Sequence, residues 1–199
     1  SPGDVLINGG ILSLVTANQI ANTSTVTLSS GTFNLTGLSE TIGTFVFNGG
    51  TFTPGGATLT LANAGTALSM RDTTISSSIA ITAGGSVVFD ATNDGTATIS
   101  GNLNLGTITP NFDIADGTAA TDMLASGVIS SSGAGLTKIG AGLLEFSGAL
   151  PNTYSGLTTV TAGTLLLNKT AGINAVPGNV LINGGTLSLA ASDQDRKSV

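Results

Sequence analysis

The chain has 199 residues, long enough to bury a sizeable core, with 8% charged and 40% hydrophobic residues, 29 glycines and a formal net charge of −6. High apolar content with few charges excludes ordinary disorder, and five scattered basic residues argue against nucleic acid or an acidic membrane surface as a partner. With no Cys and no His, disulfide scaffolds, Cys-based zinc sites and thiol nucleophiles are excluded, and the commonest general base is missing.

The chain opens on Ser1-Pro2-Gly3-Asp4, which does not read as a signal peptide, so the sequence is expected to be a piece of a longer exported chain. No apolar run is long enough to cross a membrane as a helix, and no membrane insertion is expected of this segment. Val5 to Leu14, V-L-I-N-G-G-I-L-S-L, is two alternating apolar runs joined by a turn that calls for Gly. Clear copies of this pattern begin at Val26, Phe45, Thr137, Thr158 and Val180. The third position is apolar (Ile7, Leu28, Phe47, Ile139, Val160, Ile182), as is the eighth (Leu12, Phe33, Phe52, Leu144, Leu165, Leu187). The sixth is Gly10, Gly31, Gly50, Gly142, Gly163 or Gly185, read as a structural corner where the chain takes positive φ or passes close to its neighbour. Looser copies begin near Leu59, Ile79 and Ala97, and a degenerate one lies in the 117–130 region.

Self-similarity at a period near 20 predicts a β-solenoid of about ten coils, spanning residues 1–192, with a polar tail over 193–199. Asn-Gly between alternating runs, as at Asn8-Gly9, is also the strongest hairpin signal, so an antiparallel sandwich or barrel is the rival. The corner is not consistently Asn-Gly (Ser29-Ser30-Gly31, Gly140-Ala141-Gly142), and the spacing is nearly constant, which favours parallel coils. Inward columns are then expected through Val5, Val26 and Phe45, and through Leu12, Phe33 and Phe52. A longer period of 175 residues relates Pro2–Gln19 to Pro177–Gln194. It predicts a tandem array, with neighbouring copies continuing the solenoid head to tail.

The run from Gly135 to Gly148, G-L-T-K-I-G-A-G-L-L-E-F-S-G, continues through Asn152-Thr153-Tyr154-Ser155-Gly156 to Gly163-Thr164-Leu165. Over residues 135–168 it resembles the autotransporter-associated β-strand repeat, also called the passenger-associated transport repeat. Leu143 and Phe146 stand where that repeat has Thr and Leu. The resemblance implies a right-handed parallel β-helix in a large secreted or surface-displayed bacterial protein, associated with passenger folding and export rather than with chemistry.

The acids Asp113, Asp116 and Asp122 form a local cluster read as a solvated loop, with a glycosidase-like carboxylate pair as the alternative. Asp90 to Gly95 is read as a plain turn, with weak calcium binding at Asp90 and Asp94 as the alternative. Lys138 is expected to be an exposed strand residue, and Tyr154 to anchor the loop before Gly156. No catalytic, cofactor or metal residues are assigned. With the resemblance, the expected function is a non-catalytic structural segment: stalk, filament, or adhesin or passenger scaffold outside the cell. A module binding surface glycans through a lateral Thr/Asn/Ser face is the second reading, and a β-helix carbohydrate-active enzyme the third.

Overall fold

The computed structural model describes residues 3–92, 95–192 and 194. Every strand pairing is parallel, and no helix occurs among the described residues. This is a β-solenoid, and the hairpin reading fails because Val5–Ser13 lies along Thr25–Asn34 rather than folding back on itself.

Among the described residues, nine coils are stacked along one long sheet through Val5–Ser13, Thr25–Asn34, Thr44–Phe47, Thr66–Met70, Ser86–Phe89, Asn111–Ile114, Leu136–Ile139, Thr158–Val160 and Val180–Ile182. We number the coils 1 to 9 by these strands. At one strand spacing per step, the rod is about 38 Å long. A second sheet runs from Thr74–Ile75 through Ala97–Ile99, Met123–Ala125, Leu143–Gly148 and Thr164–Lys169 to Thr186–Leu189. A third runs from Glu40–Ile42 to Ile129–Ser130. Three short apolar alternations per coil look alike in sequence. For that reason the looser copies at Leu59 and Ile79 belong to the third sheet and that at Ala97 to the second, not to the long one.

Alternation with period two puts one face of each strand inside. Val5, Val26, Phe45, Leu68, Val87, Phe112, Lys138, Val160 and Ile182 form one ladder column. Leu12, Phe33 and Phe52 form another, as expected. The first column joins position one of the repeat at Val5 to position three at Ile182. Between them the ladder slips by two residues, and an even slip leaves every side chain on its own face. Phe33, Phe45, Phe47 and Phe52 meet in the core of coils 2 and 3, with ring centroids 5.1 to 6.1 Å apart. The interior is one continuous apolar core, and the buried residues among the described ones are mostly apolar.

The third sheet stops at Ile129–Ser130, where coils 7 and 8 substitute the loops 149–157 and 170–179. Asn152 carries the ladder across the gap. Its Oδ1 accepts the Ile129 N–H at 2.9 Å and its Nδ2 donates to the Ala175 carbonyl at 2.7 Å, linking three coils through one buried amide.

Candidate functional site

The polar groups that could do chemistry converge in and around coils 6 to 8. In Leu136–Ile139 the frame is set by Leu136, one residue ahead of the predicted start. Leu136 and Lys138 are fully buried, and Thr137 and Ile139 are only half-buried. Two expectations are thereby corrected: Lys138 is not a surface residue, and Ile139 is not an inward one. Lys138 stands between Phe112 and Val160 in the column. Its ammonium is tolerated because Nζ donates to the corner carbonyls of Ile139 (2.7 Å), Gly140 (2.8 Å) and Ala162 (3.3 Å). Burial pushes its pKa down to about 8, against the opposing pull of Asp113 and Asp122.

A second buried lysine, absent from the sequence reading, ends the strand Thr164–Lys169. Lys169 Nζ donates to Ser147 O at 2.7 Å and reaches Gly127 O, two coils away, at 3.5 Å. Burial also lowers its pKa to about 8. Its backbone is clasped by Gln194, whose Oε1 accepts the Lys169 N–H at 3.0 Å and whose Nε2 donates to the Lys169 carbonyl at 2.6 Å.

The three acids do not form a pair across a cleft. Asp113 lies in the strand Asn111–Ile114, not in a loop, while Asp116 is exposed. Asp122 is buried, with Oδ1 taken by the Gly117 N–H and Oδ2 by the Leu143 N–H, both at 2.7 Å. A carboxylate so occupied holds a loop to the next coil. Glu40 does the same near the other end, accepting the Gln19 and Ile20 N–H groups at 3.2 and 2.8 Å. Neither signal was visible in the sequence, because all but one of the partners, the Gly117 N–H, are backbone groups 20 or 21 residues away. Asp90 is held below the usual carboxylate range by hydrogen bonds from Thr92 and by Arg71, 3.0 Å away. Its supposed calcium partner Asp94 lies outside the described residues. Among the described residues no group of three or more acids is placed to share a metal ion.

Tyr154 is buried in the loop that replaces the third sheet, its hydroxyl 2.8 Å from Thr158 Oγ1. An open cleft beside it is lined by Asn152, Ser155, Asn174 and Asn179. The corner glycines lie one over another. A Cβ on Gly31 (φ +80°) would stand 2.5 Å from Gly10 O, and one on Gly50 2.7 Å from Gly31 O. A Cβ on Gly163 would stand 2.4 Å from Gly142 O, and one on Gly185 2.6 Å from Val160 Cγ1.

What this arrangement can do is lock coils together: lysine ammonium groups, carboxylates and amides each tie backbone groups of successive coils. Residues 136–167 match the Passenger-associated-transport-repeat family, a span that contains Lys138 and Tyr154 and ends two residues before Lys169. Over 96 residues, 47% of its length, the chain is 40% identical to the "Adhesin BmaC autotransporter" of Brucella suis biovar 1 (strain 1330). It spans 3% of that protein. No solved structure matches the chain.

Proposed function

We propose that this chain, with its passenger-associated transport repeat, is a non-catalytic section of the extracellular rod of a surface-displayed bacterial passenger. The observation that carries the reading is the position of that repeat inside an unbroken parallel ladder whose buried polar groups are spent on joining coils. In such a rod each coil templates the next, and tandem copies continue it head to tail. An antibody raised against the segment is expected to label intact cells of the bacterium that makes it. Labelling only after the envelope is permeabilised would overturn the reading.

The second reading, a module that binds glycans or a host surface, is favoured by one observation, the adhesin name of the similar protein. Specific, saturable binding of the isolated chain on a glycan array would select it. For an enzyme, an activity lost in Asp113→Asn or Asp116→Asn would be required.

A further inference from the structure

Inside the rod, between coils 3 and 4, one face of the ladder is broken. In coils 1 to 3 the ladder runs on past the glycine corner, with Leu12 beside Phe33 and Phe33 beside Phe52. The second sheet starts afresh at Thr74–Ile75 in coil 4, and Thr51–Thr53 is paired with coil 2 alone. Either side of the break the two coils are in register, Phe47 with Met70 and Leu59 with Ile79. Between those rungs coil 3 spends eleven residues and coil 4 only eight. The surplus forms an exposed turn at Gly55 and Gly56 (φ +64° and +89°), so coil 3 overhangs the shorter coil as a ledge.

The break leaves both polar and apolar groups unfinished. Thr53 O accepts the Leu35 N–H at 3.0 Å. Thr53 therefore faces back to coil 2, and strand alternation turns the Phe52 N–H and C=O toward coil 4. Among the described residues no hydrogen bond joins residues 49–57 to coil 4. The apolar column also stops there: Phe33 is fully buried and Phe52 only half-buried. Two clefts lie along the break, one of about 330 Å³ beside Phe47, Phe52 and Thr73, the other of about 350 Å³ beside Pro54, Ser76 and Ser77. Ser77 Oγ is the one buried side-chain polar atom among the described residues that has no hydrogen-bond partner.

We infer that this ledge is a docking site for an extended, uncharged peptide strand of a partner protein. Backbone N–H and C=O groups on a strand edge are matched in kind and spacing by another extended backbone. The strand adds to the open edge of Thr51–Thr53 and bonds Phe52 N–H and C=O. It sets one apolar side chain over Phe52 in the first cleft and offers a backbone group to Ser77 Oγ in the second. Asp72 is the one charged residue lining either cleft. Small polar residues are therefore expected beside the apolar one, as Thr32 and Asn34 flank Phe33 on the opposite edge. Docking depends on the break in the ladder and not on where the protein is displayed, so its failure leaves the surface-rod reading untouched.

The first measurement needs no ligand. In the full-length chain the Phe52 amide should exchange with solvent faster than the Leu35 amide, and equal protection of the two would mean that the edge is closed and would overturn the proposal. The probe is then a capped synthetic peptide with the sequence of residues 30–36, whose Thr-Phe-Asn already fits the opposite edge. Titrated into the isotope-labelled chain, it is expected to shift the Phe52 and Thr53 amide signals saturably and to slow Phe52 exchange. Methylating alternate peptide nitrogens in two complementary sets should weaken binding about tenfold for one set and little for the other. Ser77→Ala deletes a hydroxyl that the free chain leaves unbonded, so melting should hold while binding falls about threefold. Ser76→Tyr, at an exposed position on the ledge, should block the peptide. Absence of any shift, or indifference to both methylated sets, would overturn the strand reading. A shift produced by cellohexaose but not by the peptide would make the ledge a glycan site and overturn it as well.

Discussion

Lys138 sits in a column that Phe112 and Val160 fill on either side, and the consequence is a pH dependence with a definite sign. Both buried lysines hold their proton less tightly in the fold, near pH 8, than at the ordinary 10.5 of the unfolded chain. Between those values the unfolded state binds more protons, so stability rises with pH, at most about 1.4 kcal/mol per pH unit for each lysine. Burial pushes the Tyr154 hydroxyl above its ordinary 10.0. Its contribution is therefore intact below pH 10 and is lost above it. Thermal melting is expected to climb from pH 8, peak near pH 10 and fall beyond. Lys138→Met with Lys169→Met should flatten the climb, and a climb that persists in the double variant would refute the assignment. Gly31 is the other residue where chemistry leaves no choice. Gly31→Ala combines a left-handed backbone, itself costing about 1–2 kcal/mol, with a Cβ 2.5 Å from Gly10 O. Gly3, with nothing within 4 Å, serves as the control, and Gly3→Ala should stay within about 0.5 kcal/mol. Urea midpoints measure both.

At the scale of the element, the third face shows how a sheet can end without leaving its hydrogen bonds open. Asn152→Ala would strand the Ile129 N–H and the Ala175 carbonyl, a loss of about 2–4 kcal/mol. Amide exchange at Ile129 should accelerate well before exchange at Ile114 in the long sheet. This is also where legibility in the sequence changes. Strand alternation and the corner glycines could be read directly, because period two and a missing Cβ are local properties. The frame of Leu136–Ile139 could not, since Thr-Lys-Ile reads as Lys outward until Leu136 is known to point in. Which face a triplet such as Leu59–Leu61 or Ala97–Ile99 joins depends on the lengths of the intervening turns, which alternation does not encode. Asp122, Glu40, Asn152, Lys169 and Gln194 stayed hidden for a related reason. Each satisfies at least one backbone group of another coil, and nothing in the neighbouring residues announces that partner.

As a whole the molecule is a one-dimensional stack, in which each coil touches only its neighbours and cooperativity is passed along interfaces. The weakest transmission is expected where coils are longest, at the steps of 25 and 26 residues from Val87 to Phe112 and from Phe112 to Lys138. Phe112 fills the core at that joint and is fully buried. Phe112→Ala removes about 3–5 kcal/mol of packing from two interfaces at once, one of them the apolar cover of the Lys138 stem. The expected outcome is not a uniform shift but a division. Coils 1 to 5 and coils 7 to 9 should unfold as separate blocks, with a shallower overall dependence on denaturant. Ile7→Ala, a comparable deletion in coil 1, should loosen coil 1 and leave exchange rates beyond coil 3 unchanged. Hydrogen exchange read by mass spectrometry across urea concentrations separates the two patterns. A single sharp transition of unchanged slope in Phe112→Ala would mean that stability is pooled over the whole rod rather than handed from coil to coil.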